Sequence, residues 1–140
     1  MLWLAHDGSL NANWLSHYAI RFGSRLPAKQ VRVLFIEDGS CSADRVREHV
    51  MFLERECARA GVTLTAETLP LRGSVAETLL AHIPKGPGSF VLCGTRVRKK
   101  NLGFLAGTVA ERLLQARRFN VLAIRVVHPG ILKSRTWNTQ

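Results

Sequence analysis

The sequence predicts an α/β fold, a doubly wound parallel sheet with helices on both faces, and two observations carry that expectation. Short apolar or β-branched runs alternate along the chain with longer segments of helical spacing, which is the signature of strands joined by helical crossovers. The 140 residues suffice for one domain with a real core and fall short of two. Right-handed crossovers then place ligands beyond the carboxyl ends of the strands, where the strand order reverses.

The elements follow in order. Leu2 to Ala5 is the first expected strand, and Trp14, Leu15, Tyr18, Ala19 and Phe22 form the apolar face of the first helix. Val31 to Ile36 is the second strand, and Val46, Val50, Leu53 and Cys57 mark the second helix. Val62 to Leu69 is the third strand. The third helix opens with Ser74-Val75-Ala76-Glu77 and the fourth with Thr108-Val109-Ala110-Glu111, both matching the capping box, in which hydroxyl and carboxylate satisfy each other's backbone amides. Glu77 and Glu111 are thus expected as caps, not catalysts. Phe90 to Cys93 and Val121 to Val127 complete five strands. Pro27-Ala28-Lys29-Gln30 and Pro84-Lys85-Gly86-Pro87-Gly88 stop the helices that precede strands. We expect one domain over 1–128 and a C-terminal tail over 129–140.

Charge is uneven. Residues 1–93 carry ten Lys and Arg against nine Asp and Glu, whereas residues 94–140 carry ten against Glu111 alone, so nine of the ten net positive charges lie in the last third. Either an anionic partner sits near that end or the basic surface keeps the protein in solution. Cys41, Cys57 and Cys93 show no C-x-x-C spacing and read as buried or idle thiols. No apolar run approaches the roughly 18 residues of a membrane span, and Met1 to Ser9 lacks the basic segment and long apolar core of a secretory signal, so we expect a cytoplasmic protein. The P-loop, nucleophile-elbow and zinc-hydrolase signatures are absent, and His6, His17, His49, His82 and His128 are scattered, so no enzyme is expected, with slow ATP hydrolysis left open.

Two strand ends carry suggestive residues: the first runs into His6-Asp7-Gly8-Ser9, the fourth into Gly94-Thr95-Arg96-Val97. Together with Gly73 before the third helix and a closing loop-helix-strand from Gly94 to Val127, these features resemble the universal stress protein family over nearly the whole chain. Nucleotide-binding members carry G-x2-G-x9-G-[ST] after the fourth strand. This chain has Gly94, two residues, Val97, nine residues, then Gly107-Thr108. The resemblance implies an adenine nucleotide alpha-hydrolase-like, Rossmann-like sheet in the order 3-2-1-4-5 with four helices, a stress-response or signalling role, and ATP or another adenine nucleotide, with Mg, at the ends of strands 1 and 4. It also implies a homodimer through the last strand, Val121 to Val127. The residues it assigns to the ligand are Ala5, His6, Asp7, Ile36, Gly94, Arg96, Val97, Gly107, Thr108 and Val109.

The chemistry of each can be stated. Gly107 and Thr108 would begin the fourth helix, where outward amides and the helix dipole suit phosphate; local sequence alone favours simple capping, and the family's register reverses that preference. Gly94 would let the chain turn off its strand and let a ligand lie against the backbone, or it is an ordinary turn glycine. Asp7 either accepts from ribose or adenine donors or forms an Asx turn with Gly8 and Ser9 that starts the first helix. Ile36 would offer only its backbone to adenine. His6 beside Asp7 reads as structural. Val97 departs from the pattern: at positive φ it would be strained by roughly 1–3 kcal/mol, and under close approach its methyls take ligand space. Arg96, Arg98, Lys99 and Lys100 surround it and either compensate by binding phosphate or form a solvated loop. Two function classes stay open, a nucleotide-binding module and a dimeric interaction module of the same fold without nucleotide. A nucleic-acid binder using the basic last third ranks behind them, because no reading motif or aromatic interleaving accompanies the charge.

Overall fold

The computed structural model describes residues 1–95 and 108–125. In chain order the elements are β1 (Leu2–His6), α1 (Leu10–Ser24), β2 (Gln30–Glu37), α2 (Ala43–Ala60), β3 (Thr63–Pro70), α3 (Val75–His82), β4 (Phe90–Gly94), α4 (Thr108–Ala116) and β5 (Asn120–Ile124). All five strands are parallel in one sheet ordered β3-β2-β1-β4-β5. The expected doubly wound fold and its strand order are therefore present. Val126 and Val127, the end of the expected last strand, and the 129–140 tail lie outside the described residues.

The pleat sorts the core into two layers, because alternate strand residues point to opposite faces. Leu2, Leu4, Val31, Val33, Phe35 and Leu92 face α1 and α2 with Leu15, Ala19, Ile20, Leu53 and Cys57. Trp3, Leu34, Leu69, Val91 and Cys93 face the other way, toward α3 and α4 with Leu79, Leu80, Ala110 and Leu113. Strands buried on both faces explain the near-continuous apolar runs of the sequence.

The apolar face expected for α1 needs correction. Leu15 and Ala19 are buried, but Trp14 and Tyr18 are 38% and 53% exposed, and the sheet is met instead by Ala12, Leu15, Ser16, Ala19 and Ile20. The reason is distance. A Cβ on Gly23 would lie 2.6 Å from Val31 Cγ2, so this helix seats its small residues against the strands and turns Trp14 and Tyr18 outward, while Phe22 packs against the core as expected. Ser16, fully buried, is satisfied by donating to the Ala12 carbonyl at 2.7 Å. On α2, Leu53 and Cys57 are buried and Val46 and Val50 partly so, as expected, and His49 joins them in the buried row.

The capping box of α3 is half formed. Ser74 Oγ accepts from the Glu77 amide at 3.1 Å, but the Ser74 amide donates to the Arg72 carbonyl at 2.9 Å. The Glu77 carboxylate reaches across to α4, taking Arg112 Nε at 3.0 Å and Nη2 at 2.8 Å. Both side chains are about half exposed, so the pair contributes on the order of 1 kcal/mol or less and acts mainly as a tie between the two helices. The Thr108 side chain lies outside the described residues, so the second expected box has no structural account.

Candidate functional site

The chain reverses its direction of travel across the sheet between β1 and β4. Leu2 pairs with Phe90, Trp3 with Val91 and Leu4 with Leu92, so the two strands end side by side with His6 and Gly94 at the carboxyl edge. The loop from β4 returns as α4, which begins at Thr108. This is the crevice where a doubly wound sheet binds ligands.

The structure brings Ala5, His6, Asp7, Ile36 and Gly94 to that edge. Arg96, Val97 and Gly107, with Arg98, Lys99 and Lys100, lie outside the described residues, and Thr108 is described only as the first residue of α4. Ala5, Ile36 and Val109 are partly buried against the α3–α4 layer, which gives each a packing role whatever else it touches. Gly94 corrects the turn expected of it. It still pairs with Ile124, its φ is outside the left-handed region, and among the described residues an added Cβ would meet only Leu15 Cδ2 at 3.8 Å and the Ile124 carbonyl at 4.0 Å. Neither turning nor packing against the described residues demands glycine there.

Asp7 forms the Asx turn. Its Oδ1 accepts the Ser9 amide at 2.9 Å and the Ser9 hydroxyl, while Ser9 Oγ accepts from the Ala12 amide at 3.2 Å and so caps α1. The same tripeptide, Asp-Gly-Ser, recurs at 38–40 after β2, with Ser40 donating its amide at 2.9 Å and its hydroxyl to Asp38 Oδ1. Gly8 and Gly39 both take positive φ, +79° and +85°. Adjacent strands thus end in twin turns, each presenting an exposed carboxylate. Ser40 holds the Asp38 carboxyl below the usual carboxylate range, with Asp7 near enough to oppose that shift. The repeated tripeptide was the sequence signal for the second turn.

Beneath Asp7 lies a polar cluster that sequence reasoning treated as scattered. His6 (3% exposed) and His49 (7%) lie with ring centroids 4.7 Å apart and planes tilted by 52°, and Phe35 of β2 lies 4.7 Å from the His6 ring. His6 Nδ1 accepts the Gly8 amide at 2.9 Å, His49 Nε2 lies 3.0 Å from the Gly8 carbonyl, and His49 Nδ1 lies 3.0 Å from the Asn13 amide oxygen. Gly8 is therefore held at both ends of its backbone by imidazoles. Burial, with His49 next, pulls the His6 imidazole down to about 4, so it is neutral at pH 7. Cys41, half-buried, closes over Gly8, while burial pushes the Cys57 and Cys93 thiols up to about 11, which makes them inert. No group of three or more His, Cys, Asp or Glu among the described residues is placed to hold a metal ion.

Solved structures share this architecture. A universal stress family protein from Burkholderia pseudomallei is 20% identical, covering 88% of this chain and 94% of its own with a TM-score of 0.58. The universal stress protein from Archaeoglobus fulgidus is 16% identical over 88% and 91%, with a TM-score of 0.60. UspA from Lactobacillus plantarum is 16% identical over 89% and 97%, with a TM-score of 0.55. No family model and no curated protein matches the chain. At these identities the likeness is one of fold. No helix among the described residues is long and apolar enough to cross a membrane.

Proposed function

We propose that this chain is a stress-response or signalling module of the universal stress protein type, working in the cytoplasm, that holds an adenine nucleotide between the ends of β1 and β4 and the first turn of α4. One observation carries the reading: Asp7 and Gly94 stand together at the strand reversal, with α4 starting at the residue that the glycine-and-hydroxyl register assigns to phosphate. The donor set fits the two ends of such a ligand. Carboxylates at Asp7 and Asp38 suit ribose and adenine donors, whereas the first amides of a nine-residue helix suit phosphate, with Mg accompanying it. The reading is of a binding module, not a catalyst.

The test is by restoration. Val97→Gly supplies the missing loop glycine and removes two methyl groups, and the variant is expected to bind ATP about tenfold more tightly than the parent, a gain near 1.4 kcal/mol. The larger ATP-dependent rise in melting temperature should appear in the variant, because a ligand stabilises only the state that binds it. If neither form shifts at millimolar ATP with Mg, the nucleotide reading falls and the dimeric interaction module replaces it.

A specific observation supports self-association under either reading. Among the described residues β5 is an edge strand, paired only with β4, and Leu122 in its middle is 41% exposed. An open apolar edge is a template for a second copy of itself, paired about a two-fold axis. Sedimentation at tens of micromolar is expected to show a dimer of the 15.6 kDa chain, and a monomer throughout would overturn it.

A further inference from the structure

The cluster under Asp7 contains one polar atom that the arrangement leaves unsatisfied, and its resolution says how the turn is held. Because His6 Nδ1 accepts from Gly8, its proton sits on Nε2, and that buried N–H has no partner within bonding distance. At the same time both His49 nitrogens face oxygens, Asn13 Oδ1 and the Gly8 carbonyl, each at 3.0 Å, a pattern that only a doubly protonated ring could satisfy. An orphan donor and a buried charge would thus stand side by side, each costly. A half-turn of the Asn13 side-chain amide removes both. Its NH₂ then donates to a bare His49 Nδ1, and its oxygen comes to the side of His6, on which Asn13 already bears as a hydrogen-bonding partner. Oxygen and nitrogen of an amide are interchangeable in shape, so hydrogen bonding decides between them.

We infer that His6, Asn13 and His49 form a closed hydrogen-bond circuit through the Gly8 peptide, running Gly8 N–H to His6, His6 to Asn13, Asn13 to His49, and His49 back to the Gly8 carbonyl, and that this circuit is an acid-released latch on the Asp7 turn. The three side chains come from β1, α1 and α2, so the latch also joins three elements at the mouth of the crevice. The two links in which a ring Nδ1 accepts need a neutral ring. A proton added to His6 lands on Nδ1, against the Gly8 N–H; one added to His49 lands on its Nδ1, against the Asn13 NH₂. The first addition sets donor against donor and frees the Gly8 amide, and with it the turn that aims Asp7; the second breaks the Asn13 link but leaves His49 Nε2 donating to the Gly8 carbonyl. The groups that face the pair are Asp7 from the loop after β1, Asn13 from α1, the uncharged Phe35 from β2, and Cys41 from the loop before α2, with Asp38 acting on Asp7. Of these, Asp7 favours the protonated ring and burial opposes it more strongly. The latch does not depend on the identity of the ligand.

The test reads tautomers directly. Nitrogen-15 spectra of the imidazoles at pH 7 are expected to show both His6 and His49 neutral, protonated at Nε2 and bare at Nδ1. A proton on Nδ1 of either ring, or a charged ring at that pH, would overturn the circuit. Hydrogen-exchange protection of the Gly8 amide should drop at least tenfold as acid protonates His6, ahead of global unfolding. Asn13→Asp keeps the shape but offers both rings a carboxylate, so the pH of that release should move up by at least one unit; an unmoved or lowered midpoint would assign Asn13 a merely structural place and sink the latch. Should that variant not fold, the wild-type tautomers and the Gly8 protection profile decide alone.

Discussion

Gly8→Ala is expected to destabilise the protein by about 2–5 kcal/mol, the largest effect of any single methyl group added at a glycine among the described residues. Two costs add. Gly8 sits at φ +79°, where an L-residue loses roughly 1–2 kcal/mol. The new Cβ would also lie 2.6 Å from Cys41 Sγ and 2.8 Å from Cys41 Cβ, an overlap that side-chain rotation cannot relieve, since Cβ is fixed to the backbone of the loop before α2. Overpacking of this kind costs typically 1–3 kcal/mol. For a domain of this size, thermal melting should fall by about 6–15 °C. A double-mutant cycle separates the terms: in a Cys41→Gly background only the backbone cost remains, so the penalty of Gly8→Ala should shrink to about 1–2 kcal/mol. Equal penalties in both backgrounds would show that Cys41 is not the obstruction. Gly39→Ala is the built-in control, with φ +85° and open space around it, and it should cost only the backbone share.

That contrast shows what a linear reading can and cannot find. Alternation of strand and helix signals was legible because the central strands β1, β2 and β4 are buried on both faces and each helix on one, and these burials write periods of their own into the chain. The strand order came through the resemblance, carried by the residues after β1 and β4. The face of α1 was misread because hydrophobicity favours Trp14 and Tyr18, whereas close helix–sheet approach selects Ala12, Ser16, Ala19 and Gly23, which carry little signal. The Asx turn at Asp7 was legible as chemistry, since aspartate two residues before a serine amide reaches it in any context. The clamp on Gly8 was not. His6 and His49 are 43 positions apart, on β1 and α2, and no local pattern announces that two elements on one face of a sheet will set their rings 4.7 Å apart. Gly94 shows the converse: its match to a family pattern was legible, but its backbone is ordinary here, so any requirement for glycine must come from what lies against it.

Acid should unfold this protein earlier than its carboxylates alone would dictate. The His6 imidazole falls from 6.5 unfolded to about 4 folded, so between those values the unfolded chain binds a proton that the native chain refuses. Stability therefore rises with pH wherever the unfolded state holds more protons, and the sign is fixed: the contribution is fully present above pH 6.5, declines as pH falls, and is fully lost below about 4. At about 1.4 kcal/mol per unit, the loss across the window is on the order of 3 kcal/mol, a large share of the 5–15 kcal/mol typical of a domain. Asp38 acts in the same direction but lower down, because a carboxyl depressed below 3.8 loses its contribution only as pH drops beneath that value. The two windows are therefore separable in one titration. His6→Asn is the decisive variant: its amide oxygen can still accept the Gly8 N–H, while nothing at that position titrates. Urea unfolding at pH 7, 6, 5 and 4 should show the parent losing about 3 kcal/mol more than the variant, with most of the difference arising between pH 6 and 4. Parallel pH profiles for the two proteins would mean that His6 keeps its ordinary proton affinity in the fold, and that its burial against Phe35 and His49 is not what holds it neutral.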